Sequence, residues 1–132
     1  DRNKCDPWTG TMTCGKIEDV QKNYNKIGSS SENLTLLKGW LEQTIPNNIE
    51  MFDDLDILRI DTDLYSSVYF CLDSLYPKIK VGGLIVLDDW HFNPKGVQGA
   101  VKDYFGDSYN KIDIQIHESG RGPAFFMKKG NI

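Results

Sequence analysis

The sequence has no run of about 18 apolar residues of the kind that spans a bilayer, and its opening stretch, DRNKCDPWTG, is too polar for the core of a signal peptide. A cytoplasmic protein is the expectation. A basic surface is also missing: the formal charge is −4 and the fifteen Lys and Arg are scattered rather than striped, which argues against a nucleic-acid partner. Cysteine is scarce, with Cys5, Cys14 and Cys71 odd in number and in no CxxC pair. Neither a disulfide framework nor a zinc site is signalled, and Cys71 is expected to pack as a small apolar residue on a helix. There are no repeats, low-complexity tracts or domain linkers. What remains is an ordinary composition, 39% apolar and 26% charged over 132 residues, enough for one domain with its own core.

Two pairs of aspartates stand out against that background, each just past an apolar run: Asp61 and Asp63 in ILRIDTDLY, Asp88 and Asp89 in GGLIVLDDWH. Ile57, Leu58 and Ile60, and then Leu84, Ile85, Val86 and Leu87, read as strands of a parallel sheet covered on both faces, because such strands run apolar throughout. Acids at the carboxyl ends of neighbouring strands lie where open α/β sheets bind ligands. Four carboxylates crowded there repel one another unless protonated or neutralised, and a hard divalent cation such as Mg²⁺ neutralises them most simply.

The rest of the chain supplies the elements around these strands. Ile17, Val20, Tyr24 and Ile27 mark a helix over 15–27, closed by Gly28. LTLLKG (34–39) reads as a short strand, Trp40 to Gln43 as a turn of helix, and IPNNIEMFDD as a polar connection into a strand at 55–61. Leu64, Val68, Leu72 and Leu75 recur at helical spacing up to Pro77, and KVGG (80–83) reads as a turn into the next strand. Asn93 and Pro94 look like the N-cap and first turn of a helix carrying Val97, Ala100, Val101, Tyr104 and Phe105 and ending near Gly106. Alternation at Ile112, Ile114 and Ile116, the turn ESGRGP and then AFFMKK predict a terminal antiparallel hairpin.

With these segments in place, LRIDTDLYSSVYFCLDSLYPKIKVGGLIVLDDW followed by GVQGAVKDYF closely resembles the macrocin (TylF-type) O-methyltransferase family. CGKIEDVQKNYNKIG and LTLLKGWLEQTIP resemble the segments that precede the family's DxDLY motif. The resemblance implies an α/β fold, the later part of a Rossmann-like class I methyltransferase, with a mostly parallel sheet and a C-terminal antiparallel hairpin. It implies S-adenosylmethionine as cofactor, Mg²⁺ held by Asp61, Asp88 and Asp89, and methyl transfer to a hydroxyl, in that family a sugar hydroxyl. It also places Gly39 and Trp40 near the cofactor's adenine.

The chemistry suits those residues. A sugar hydroxyl is a poor nucleophile at neutral pH, and a cation on its oxygen both acidifies and orients it. The base that takes the proton is expected to be Asp63, lifted by its acidic neighbours, with His91 the other candidate. Plainer readings stand beside these: Asp63 as a helix N-cap, His91 as a loop residue, Trp40 as packing, His117 as a solvent-facing strand residue, the aromatics Tyr65, Tyr69, Phe70 and Tyr76 as core and helix surface, and Lys128 and Lys129 as a solvated end.

One departure from the family matters. Class I methyltransferases hold the cofactor through a glycine-rich turn after their first strand and an acid ending the second, and no strand with such a turn occurs before residue 34. The first residue is Asp1 rather than Met. The expectation is a single domain over 1–132 that is the C-terminal portion of a methyltransferase domain, with a bare strand edge that invites a dimer or strand exchange. Two rival functions follow: a metal-dependent glycosyltransferase using the DTD motif, and a non-catalytic methyltransferase remnant.

Overall fold

The computed structural model describes residues 16–28, 31–117 and 122–130; Cys5 and Cys14 lie outside them. Four strands form one mixed sheet in the order β1-β2-β4-β3: β1 (Leu55–Ile60), β2 (Ile79–Leu87), β3 (Gln115–Ile116) and β4 (Ala124–Met127). β1 and β2 run parallel, joined by the crossover helix α3 (Tyr65–Leu75), while β4 is antiparallel to both β2 and β3. The expected α/β class and terminal hairpin are therefore present. α4 (Val97–Phe105) packs with α3, and α1 (Ile17–Lys26) and α2 (Leu41–Asn47) precede the sheet.

Period-two alternation in the strands decides where the core lies. Leu58, Ile60, Ile85, Leu87, Ala124 and Phe126 point to one face and are buried with Val68, Leu72, Val97 and Val101 of α3 and α4. Cys71 is buried in the same layer, as expected of a small apolar residue, and burial pushes its thiol up to about 11. The expectation of strands covered on both faces fails. On the opposite face Ile57 is 62% and Met127 59% exposed, with Leu84, Val86 and Phe125 half-buried between them, because both core helices lie on the other side. β1 is an edge strand.

Other local readings are corrected by the same logic. LTLLKG forms no strand, since no neighbouring strand pairs with it, and a strand without a partner has no ladder to hold it. The stretch after it is more helical than expected: α2 runs through Pro46 and a 3₁₀ turn follows at Ile49–Phe52. KVGG lies inside β2, where the register with β1 steps from Leu55↔Ile79 to Ile57↔Leu84. Gly82 takes φ +85° there, and a Cβ on Gly83 would lie 2.5 Å from Ile79 Cγ2, so both glycines serve the step. α4 starts at Val97, later than the Asn93–Pro94 signal suggests. Lys128 is no solvated end: its Nζ donates to the carbonyls of Tyr76, Pro77 and Ile79 at 3.0, 3.3 and 2.7 Å and lies 5.0 Å from the Tyr76 ring centroid. It thereby satisfies the carbonyls left over where the 3₁₀ turn after α3 ends.

Candidate functional site

The parallel pairing of β1 with β2 brings the two acid pairs together. Ile60 lies opposite Leu87, and the ladder continues one step further as the Asp88 N–H donates to the Ile60 carbonyl at 2.9 Å. Both chains then turn sharply. Asp63 and Asp89 both adopt left-handed backbone, φ +53° and +51°, a conformation that Asp and Asn tolerate better than most residues. Two adjacent strand tips thus end in the same kind of strained acidic turn.

The turns are fastened from behind. Trp90 is buried next to Asp89, and Gln98 of α4 donates to its carbonyl at 2.6 Å. Asn93 clasps the two loops together, donating through Nδ2 to the Asp63 carbonyl at 3.0 Å while its Oδ1 accepts from the Gly96 N–H at 3.1 Å. Gly96 must be glycine here, because a Cβ would fall 2.2 Å from the Asp63 carbonyl oxygen and 2.6 Å from Asn93 Nδ2.

Asp61, Asp63 and Asp89 each offer a carboxylate oxygen, all within 4.8 Å of one another. Asp88 is turned toward Arg59, whose Nη2 contacts its carboxylate and also lies 3.0 Å from Asp61 Oδ2. The Arg59 hydrogen bond holds the Asp88 carboxyl below the usual carboxylate range. Asp89 moves the other way, to about 6, chiefly through its hydrogen bond with Asp63, then through burial and the charge of Asp63 and Asp88.

The remaining expected site residues lie around this group. His91 is an exposed residue of the turn that the Asp89 carbonyl closes by accepting from the N–H groups of Phe92 and Asn93. Among the described residues it does not join the cluster of possible ligand atoms. Asp63 caps no helix by its side chain: the N-cap position of α3 is Leu64. Gly39 and Trp40 sit at the start of α2, Gly39 at φ +148° and Trp40 as its N-cap residue with the indole 77% exposed. His117, just past β3, is exposed. Arg59 and Asn93 are the site residues that pattern reading did not assign; the signal for Arg59 was a cation between Leu58 and Ile60, two residues before the acid pair.

The donor set fits a hard divalent cation: clustered carboxylate oxygens from two rigid strand tips are the ligands Mg²⁺ takes. The hydroxyl of Thr62, between Asp61 and Asp63, is buried without a hydrogen-bond partner among the described residues, so this loop has polar capacity to spare. The elevated Asp89 carboxyl makes the crowding measurable. A carboxyl raised above its unfolded value near 4 favours the folded state fully below that value, and the contribution is lost as pH rises through about 6. In chelator-treated protein, Asp89→Asn should therefore raise Tm relative to wild type at pH 7.5, and the gain should shrink toward pH 4.5. A difference that stays flat across that range contradicts the crowding.

Sheet, crossover helix and acid-tipped strands together define a class, part of a Rossmann-like methyltransferase domain. The solved structure of the O-methyltransferase NovP superposes with a TM-score of 0.76 and 28% sequence identity, covering 92% of this chain and 48% of that one. CalS11, a TDP-rhamnose 3'-O-methyltransferase of calicheamicin biosynthesis, shares the fold at a TM-score of 0.63 and 19% identity over 83% of this chain and 47% of that one. Residues 8–127 match the sequence pattern of the Macrocin-O-methyltransferase (TylF) family, and the chain belongs to that family.

Similar curated proteins include the demethyldecarbamoylnovobiocin O-methyltransferase of Streptomyces niveus, 37% identical over 66% of this chain and 32% of that protein. Another is the 8-demethyl-8-(2,3-dimethoxy-alpha-L-rhamnosyl)-tetracenomycin-C 4'-O-methyltransferase of Streptomyces olivaceus, 31% identical over 74% of this chain and 38% of that protein. The chain thus spans about a third of the length of these relatives and about half of NovP.

Proposed function

We propose that this chain contributes the metal- and acceptor-binding part of an S-adenosylmethionine-dependent O-methyltransferase acting on a sugar hydroxyl of a glycosylated small molecule. The observation that carries the reading is the convergence of Asp61, Asp63 and Asp89 from two neighbouring strand tips, in a chain of this family. The relative whose name specifies a rhamnosyl 4'-O-methylation supports a sugar acceptor.

Asp61, Asp88 and Asp89 would hold Mg²⁺, which when bound supplies a positive charge that acidifies the acceptor hydroxyl and fixes its oxygen. Asp63, on the same loop as Asp61, takes the hydroxyl proton. S-adenosylmethionine, when bound, would supply the methyl group, the acceptor oxygen taking the methyl carbon as its bond to sulfur breaks and leaves the electron pair on sulfur. The rigid strand tips and the Asn93 clasp keep the base and the ligands in register, so little reorganisation is needed at the moment of transfer. His91 is the alternative base, and Gly39 and Trp40 are proposed to meet the adenine.

Calorimetry on a full-length form of the enzyme with S-adenosylmethionine and with a nucleotide sugar, each with and without Mg²⁺, tests the reading. Micromolar binding of the sulfonium cofactor is expected. Nucleotide-sugar binding instead would favour a glycosyltransferase, and silence with both a non-catalytic remnant.

Among the described residues β1 pairs with β2 alone, and this edge, with Ile57 exposed on β1, supports pairing with a second copy through strand addition. Light scattering on a sizing column should give the mass of two chains. A strictly monomeric species contradicts the pairing.

A further inference from the structure

Among the described residues Arg59 is the cation placed against the aspartates, and its position follows from strand geometry. It lies two residues before Asp61 on the same face of β1 and opposite Val86, which in turn lies two residues before Asp88 on β2. A side chain reaching forward from Arg59 therefore meets both acids, and its Nη2 contacts Asp61 and Asp88 at once. The guanidinium is exposed, on the sheet face away from the core helices. Its contacts in this region are electrostatic. Asp88 faces this guanidinium, while the acids whose oxygens lie close together are Asp61, Asp63 and Asp89.

We propose that Arg59 is the internal counter-cation of the acid cluster: its guanidinium competes with a divalent ion for Asp61 and Asp88 and thereby sets how tightly the site loads. This rests on the reading of the cluster as a metal site. In the metal-free protein Arg59 relieves carboxylate repulsion and keeps the two strand tips together. When an ion enters, Asp88 exchanges its bond to Arg59 for the ion, and the displaced guanidinium still repels the ion from a few ångströms away. Both effects weaken loading. A residue that merely oriented the acids would act in the opposite sense, since its removal would loosen ion binding.

The test is Mn²⁺ titration by calorimetry and electron paramagnetic resonance on wild type and Arg59→Met at fixed ionic strength. The variant should bind the ion about tenfold more tightly, the scale expected when a unit positive charge is removed from beside a divalent ion near a protein surface. Binding by Arg59→Met alone, with none by wild type, supports the competition as well. Equal or weaker binding by the variant overturns the role of Arg59 while leaving the metal site standing. No binding by either chain overturns both. Should Arg59→Met fail to fold, Arg59→Gln, with a polar head suited to this exposed position, carries the same expectation.

Discussion

On the proposed function, replacing Asp88 by Asn in a full-length form of the enzyme should reduce Mg²⁺-dependent methyl transfer by about a hundredfold or more while leaving the fold intact. The Asp88 Oδ1 accepts from the Asp89 N–H at 3.1 Å, and the Asn carbonyl can keep that bond, so the turn at the strand tip survives. What is lost is a negative charge and the carboxylate oxygen proposed to ligate the ion. Removal of a ligand from a site that stabilises developing charge costs several kcal/mol in the transition state. The effect should fall on kcat/KM and on Mn²⁺ affinity together, with circular dichroism unchanged. An Asp88→Asn protein that kept both would show that this carboxylate is no ligand.

The second large effect is expected at a residue that bears no charge. Gly96→Ala sets a methyl group 2.2 Å from the Asp63 carbonyl oxygen and 2.6 Å from Asn93 Nδ2, far inside van der Waals contact, and one partner is backbone. Either the loop after β1 or the segment leading into α4 must move. Overpacking of this kind costs roughly 1–3 kcal/mol, and the shift moves the loop that carries Asp61 and Asp63 away from Asp89. Thermal unfolding should show a lower Tm, and Mn²⁺ binding should weaken by about tenfold or more, since ligands at separate strand tips lose their common centre. Wild-type stability with wild-type ion affinity would contradict the close approach. Asn93→Ala should move both readouts in the same direction by less, because it removes the clasp without inserting an atom.

Much of the frame was legible from pattern alone. Apolar runs located β1 and β2, helical spacing at Val68, Leu72 and Leu75 located α3, and the alternation around Ile114 and Ile116 located the final hairpin. These are local signals, and the structure honours them. What escaped depends on neighbours. LTLLKG has the composition of a strand but no adjacent strand, and Ile57 reads as core yet faces outward because the helices occupy one side of the sheet. The register step at Lys80 to Gly83 looks like a turn in sequence because glycines serve both.

The candidate site divides in the same way. Two acid pairs after apolar runs were enough to mark the place, and the family pattern adds roles to individual carboxylates. Three further features are properties of the assembled strand tips. Left-handed backbone at Asp63 and Asp89 is visible only as a turn geometry. The Asn93 clasp spans thirty residues of sequence, although Asn93 by itself reads as an ordinary helix cap. The double contact of Arg59 requires β1 and β2 to be in this register, so a charge inside a strand carried no assignment until its neighbour was known.

Anomalous diffraction from crystals soaked in Mn²⁺ tests most directly whether a divalent ion sits among the carboxylates converging from the tips of β1 and β2. The expected result is a single strong peak bonded to the carboxylates of Asp61, Asp88 and Asp89, with Arg59 withdrawn from Asp88. Crystals that show Asp88 still on Arg59, with no peak between the carboxylates at millimolar Mn²⁺, would contradict it.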